Sequence, residues 1–250
     1  MRNTRILAAL GLLVTAAAVN AADVTETASA VTGTAAIVSD YDYRGFSQTG
    51  EKPAVQLSID YAHESGWYAG AWGSNIDDFC DTPGGCYDSN GDRIANTAST
   101  EVDLYTGFKG AAGDFGWDAG ITYYTYAGAS DLNFAEIYGK FSFNFVSAGL
   151  YFSNAFGHKD NDEAFYFFGD AGIPAGPLTI GTHIGYSTGD GIGQAYFGGV
   201  EDSYFDYGLG VSYTASNLTL GVKWIAIDAG DAGSDDRIVL SISTALPWGE

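Results

Sequence analysis

Apolar and polar residues trade places along short, aromatic-rich segments that return roughly every 15 to 25 residues, the period-two pattern of strands with two unlike faces. In one of the clearest, Leu178, Ile180, Ile184 and Tyr186 fall on one face, and Thr179, Gly181, His183, Gly185 and Ser187 on the other. A face that is aliphatic and aromatic, backed by one that is small, hydroxylated or charged, is how a transmembrane β-barrel strand reads. Counting such segments gives about twelve, over residues 31–44, 54–63, 66–76, 99–110, 114–126, 132–144, 146–156, 162–173, 177–188, 203–214, 217–228 and 236–246. The number is even, as bacterial barrels require.

The connections alternate in length. His63–Gly66, Gly110–Asp114, Asn144–Val146, Ile173–Pro177 and Thr214–Asn217 are short, whereas Gly45–Pro53, Asn75–Ser99, Tyr126–Leu132, Asn154–Glu163, Thr188–Ser203 and Asp228–Asp236 are long and polar. Outer-membrane barrels carry short periplasmic turns and longer extracellular loops, while a soluble β-sandwich has no reason to keep this order. The pattern therefore predicts an all-β chain, a transmembrane antiparallel up-and-down β-barrel. In that orientation Tyr41, Tyr43, Tyr123, Tyr186, Phe205 and Tyr207 fall near the outer rim, and Tyr61, Trp67, Trp117 and Tyr213 near the inner rim, as two interfacial girdles.

The amino terminus agrees with export. Arg2 and Arg5 precede an apolar stretch from Ile6 to Val19, followed by small residues that predict cleavage after Ala21. Residues 1–21 then form a signal peptide, 22–30 a short periplasmic segment and 31–250 the barrel. Nothing in the chain reaches the ~18 uninterrupted apolar residues of a membrane-spanning helix. With 35 glycines, 17 tyrosines and 15 phenylalanines against a single methionine, the composition suits sheet.

Charge adds a second layer. The 31 acidic residues against 10 basic ones give a net charge of -21, which excludes a nucleic-acid partner. The acids either decorate solvated loops or line a lumen and bias it toward cations. Strand parity places Asp40, Asp42, Asp60, Glu101, Asp103, Asp118, Glu136, Asp170 and Asp206 on the lumen side, together with Arg44, Lys109, Lys140, Lys223 and Arg237. These line a watery channel or pair across it as a plug, since twelve strands lie between filled and open barrels.

The first hairpin reads Ser39-Asp40-Tyr41-Asp42-Tyr43-Arg44-Gly45-Phe46-Ser47-Gln48, then Lys52-Pro53-Ala54-Val55-Gln56. It resembles the Tyr-x-aromatic-Arg-Gly-x-Ser-Gln signature of the TorF family of porin-type bacterial outer-membrane proteins. Gly66–Asn75 and Leu132–Tyr138 resemble the same family. The resemblance implies a single-domain outer-membrane barrel with a pore function and supplies no catalytic or ligand residues. The carboxy-terminal half matches only in strand pattern, and the chain ends Pro247-Trp248-Gly249-Glu250 rather than on an aromatic residue.

Other chemistry is sparse. Arg44 is placed to pair two-pronged with Asp42, Asp60 or Glu136, pinning the first strand and loop. Cys80 and Cys86 are the only cysteines, six apart in the longest external loop, and an oxidising compartment predicts a disulfide. Asp88, Asn90 and Asp92 have the opening spacing of a calcium loop, but Arg93 stands where its glycine belongs. His183 and Ser187 share a face and raise a lipid-hydrolase alternative, without a Gly-x-Ser-x-Gly elbow to support it. The glycine-rich Thr188–Gly199 segment is either a surface or an inward constriction. The expectation is a barrel passing small hydrophilic solutes or cations by passive diffusion, with a non-conducting surface-interaction barrel as the other class. Outer-membrane lipids, lipopolysaccharide and the barrel-assembly machinery are the partners it implies, and no cofactor is called for.

Overall fold

The computed structural model describes residues 29–80, 97–156, 162–230 and 234–247. β1 (Ala30–Val38) is followed by a two-rung hairpin, β2 (Asp42–Tyr43) and β3 (Phe46–Ser47). Next come β4 (Ala54–Ala62), β5 (Trp67–Cys80), β6 (Thr97–Ala112), β7 (Phe115–Tyr126), β8 (Phe134–Phe143) and β9 (Val146–Ser153). β10 (Ala164–Ala175), β11 (Leu178–Thr188), helix α1 (Asp190–Tyr196), β12 (Ser203–Ala215), β13 (Leu218–Asp228) and β14 (Ser234–Pro247) complete the order. All strands but β2 and β3 form one closed antiparallel barrel of twelve, each pairing with its neighbour in sequence and β1 closing on β14. At the seam Thr32 lies opposite Pro247 and Val38 opposite Ser241. Closure leaves no strand edge to face hydrocarbon, where an unpaired backbone amide costs several kcal/mol.

The period-two pattern maps onto the wall. Ile37, Leu57, Leu104, Ile137 and Leu240 are each more than half exposed, on the outside. The alternate positions, Gln56, Glu101, Asp103, Glu136 and Asp206, are buried inside. A water-soluble protein buries the first set and exposes the second, so this inversion suits hydrocarbon outside and polar contacts within.

One end carries the short connections. Ala112 pairs with Phe115, Phe143 with Val146, Ala175 with Leu178 and Ala215 with Leu218, leaving two-residue loops. Their first residues, Gly113, Asn144, Gly176 and Ser216, all have positive φ, which matches the twist of the flanking strands. Both ends of the barrel chain, at β1 and β14, lie at this same end.

The chief correction concerns β1. The pattern predicts a strand over 31–44, but β1 stops at Val38 and the chain then turns inward, so Tyr41 and Tyr43 are inside the barrel and not in an outer girdle. β5 and β6 are longer than expected, with an irregularity between Asn75 and Phe79. The signal peptide, Cys86, the Asp88–Asp92 stretch, His158 and Trp248 fall outside the described residues.

Arginine at outward Ile184, midway along β11, is expected to cost about 2–4 kcal/mol of folding into lipid. The same residue at Gly181, whose inward side is open space, is expected to fold close to wild type. Refolding into vesicles with denaturant titration checks this, and equal tolerance at both positions contradicts the face assignment.

Candidate functional site in the barrel lumen

After Val38 the chain folds into the lumen as a small knot. Asp40 Oδ1 accepts hydrogen bonds from Ser47 Oγ (2.5 Å) and Thr49 Oγ1 (2.9 Å), and the Gln48 amide donates to the Tyr41 carbonyl (2.7 Å). Above this stem Tyr43 pairs with Phe46, leaving Arg44 and Gly45 as a two-residue turn with φ of 50° and 90°. Only glycine takes the second of these conformations cheaply. Space adds a separate demand, because a Cβ on Gly45 would come within 2.2 Å of Ile227 Cγ2 on β13.

Three groups of residues, from the wall and from α1, hold the hairpin. Arg44 donates from Nη1 and Nη2 to the two carboxylate oxygens of Glu136 on β8, at 2.9 and 2.6 Å, and Glu136 also accepts from the Tyr124 hydroxyl (2.9 Å). The guanidinium lies over the rings of Tyr43, Tyr151 and Tyr166, 4.7, 5.0 and 4.3 Å from their centroids. Arg237 on β14 is the second hold, donating to Asp40 Oδ2 (2.5 Å), Asp42 Oδ1 (2.7 Å) and the Gly45 carbonyl (2.6 Å). Lys223 adds its charge 3.5 Å from Asp42. Burial raises the Asp42 carboxyl above its ordinary range, with Lys223 and Arg237 opposing. The third hold is aromatic: Phe46 stacks on Tyr196 of α1 at 4.2 Å and meets Tyr204 edge-on at 5.0 Å.

The lumen is thus filled toward the long-loop end and looser toward the other. Ser153, Ser187, Tyr204 and Val239 are all but inaccessible around the hairpin, whereas Asp60, Lys109, Asp118, Lys140 and Asp170 are partly exposed. In this half-open vestibule Tyr68 donates to Asp118 (2.5 Å) and meets the Tyr138 hydroxyl, while Tyr105 donates to Asp60. Their rings lie flat over Gly107, Gly120 and Gly70, where a Cβ would collide with them. Lys140 approaches the Tyr138 and Tyr151 rings at 4.6 and 5.2 Å, and Lys109 the Tyr68 ring at 5.5 Å.

His183 marks the boundary between the two halves. Nδ1 is 2.7 Å from Asp170 Oδ1, and Nε2 is 2.7 Å from Asp206 Oδ1 and 2.9 Å from the Tyr166 hydroxyl. Both ring nitrogens are therefore engaged. Ser187 is four residues further along β11, about 13 Å at strand rise, and fully buried, so the pair has no nucleophile–base geometry.

The structure thus brings Asp40, Asp42, Arg44, Lys223, Arg237 and Glu136 together, with Asp206 alongside, and places Asp60, Asp118 and Lys140 in the vestibule. Glu101 and Asp103 are buried apart from any basic residue among the described residues. Thr188–Gly199 folds inward, since α1 packs on the hairpin. Sequence reasoning passed over the tyrosines at 68, 105, 124, 138, 151 and 166. Parity carried the signal, because Tyr105 follows Asp103 by two and Tyr138 follows Glu136 by two.

The closed twelve-stranded barrel is similar in fold to solved porins. The NanC porin has a TM-score of 0.54 at 10% identity, over 86% of this chain and 99% of that one. The KdgM porin has a TM-score of 0.50 at 11% identity, over 86% and 98%. LpxR from Salmonella typhimurium also aligns, at a TM-score of 0.44 and 9% identity, over 87% of this chain and 100% of that one. The chain itself belongs to the family described as bacterial protein of unknown function, Gcw_chp, whose model matches residues 22–242. No curated protein matches the sequence.

Proposed function

We propose that this protein is a bacterial outer-membrane channel of the porin kind, passing small hydrophilic solutes or cations along an acidic lumen narrowed by the Asp40–Gln48 hairpin. The observation that carries this reading is the inward placement of nine carboxylates, at 40, 42, 60, 101, 103, 118, 136, 170 and 206, against five lysines and arginines, at 44, 109, 140, 223 and 237. A barrel that only anchors itself in lipid has no need to hold so many charges within its wall. The apolar exterior supports the membrane location, and the family match beginning at Ala22 is in keeping with a leader cleaved after Ala21. The TorF-like signature coincides with the hairpin itself, so the motif encodes the constriction.

Single-channel recording of the refolded chain in planar bilayers under a salt gradient tests this. Small, steady openings with cation preference are expected, and Asp60→Asn is expected to weaken that preference, because Asp60 lies in the accessible vestibule. A folded barrel that never conducts supports a second reading, a non-conducting barrel serving surface interactions. The near-complete burial around the hairpin is the observation that favours it.

A further inference from the structure

One row of the wall is chemically incomplete. Across four adjacent strands, Gln56 pairs in register with Ser74, Ser74 with Glu101, and Glu101 with Tyr126. Asp103 lies one inward step along β6, and Glu101 has both the Tyr41 hydroxyl of the hairpin stem and the Asp103 carboxyl within hydrogen-bonding reach. Gln56, Glu101 and Asp103 are 2%, 2% and 8% exposed. Among the described residues, Glu101 Oε2, Asp103 Oδ1 and both amide atoms of Gln56 have no hydrogen-bond partner. Ser74, between Gln56 and Glu101, turns its hydroxyl to the Asn75 carbonyl and satisfies neither. Over the row lies the hairpin stem, where Tyr41 packs edge-on against Trp72 (5.3 Å), the register partner of Asp103.

Two buried carboxylates in contact need a positive charge between them. A shared proton would join one oxygen of each and leave Glu101 Oε2, Asp103 Oδ1 and Gln56 Oε1 unmatched at a cost for every one. A cation that takes many oxygen ligands in flexible geometry matches all three and fills the rest of its shell with water. Magnesium, which demands a compact octahedron, suits a set spread over two strands flanking a third less well. We propose that the Gln56–Glu101–Asp103 row binds one calcium ion in the lumen wall beneath the hairpin stem, with Glu101, Asp103 and the Gln56 carbonyl as its protein ligands. The Gln56 amide, an unpartnered buried group on the same inward row one strand removed from the acids, is what separates this row from an ordinary acidic cluster. The site stands whether or not the lumen conducts.

Isothermal titration of chelator-stripped, refolded protein in detergent with calcium chloride tests it. One ion per chain is expected, with a Kd of about 10 µM to 1 mM, the span from sensor to extracellular sites. Asp103→Asn and, separately, Gln56→Leu are each expected to weaken binding at least about tenfold, the range of a lost ligand-shell contact. Gln56→Leu keeps both acids and serves if the first variant does not fold. Asp88→Asn/Asp92→Asn is expected to leave binding intact. No calcium binding by folded wild type overturns the proposal in favour of the shared proton. Binding that survives Asp103→Asn and Gln56→Leu, or vanishes in Asp88→Asn/Asp92→Asn, overturns it in favour of another site.

Discussion

Replacing Arg44 with alanine is expected to destabilise the docked hairpin by about 3–5 kcal/mol and to raise channel conductance severalfold, because it strands Glu136 as a buried, uncompensated charge. The side chains of the pair are only 7% and 1% exposed, so solvent offers little relief. The guanidinium also loses its place over three tyrosine rings. Arg44→Lys keeps the charge but not the two-pronged geometry, and should fall between wild type and alanine. Pairing Arg44→Ala with Glu136→Gln removes the stranded charge and should recover part of the loss, giving a double-mutant cycle for the coupling. Heat or denaturant unfolding in detergent supplies the stability, and planar-bilayer recording the conductance. Unchanged conductance in a folded Arg44→Ala barrel would mean that the hairpin does not limit flow.

The second large effect is expected from Phe46→Ala. Phe46 reaches Tyr196, Phe197 and Tyr204 at 4.2, 6.1 and 5.0 Å, tying the hairpin tip to α1 and β12. A fully buried phenylalanine costs about 3–5 kcal/mol when truncated. Phe46 is partly buried, which brings the expected loss to about 2 kcal/mol. Neither substitution should show a strong salt response, because the Arg44–Glu136 pair is buried and the Phe46 contact is aromatic. Screening weakens exposed electrostatics and leaves aromatic packing alone, so conductance in Phe46→Ala should depart from wild type equally at low and high salt. A Phe46→Tyr variant that restores wild-type conductance would confirm that the ring, not the backbone, makes the contact.

Much of this architecture is legible in the sequence because a barrel wall is a local code. Alternation at Leu178–Thr188 announces both faces of one strand, and short loops such as Asn144–Phe145 announce which end they close. The hairpin was hidden by the same code. Asp40-Tyr41-Asp42-Tyr43-Arg44 continues the alternation of β1, and nothing in a period of two tells a strand in the wall from one that has bent off it. The turn at Arg44–Gly45 was the available clue, since glycine after a residue able to take positive φ marks a two-residue hairpin tip. The partner of Arg44 was narrowed to three carboxylates by parity, but choosing Glu136 requires knowing that the hairpin crosses the lumen. The tyrosines went unnoticed for another reason. Aromatic residues suit lipid interfaces and lumen packing alike, and composition does not separate Tyr123 outside from Tyr124 inside.

The hairpin's anchors come from far along the chain. Arg237 reaches Asp40 across 197 residues and Asp42 across 195. These contacts exist only once β14 has come round to meet β1, so the loop between the first two wall strands is the last part of the molecule able to settle. Chain synthesis and docking therefore run in opposite senses: the segment made first is fastened last. Arg44, held within the finished lumen, is a trypsin site open only before the seam is made. Cleavage after Arg44 during refolding thus clocks the joining of the two ends, and its disappearance marks a completed barrel.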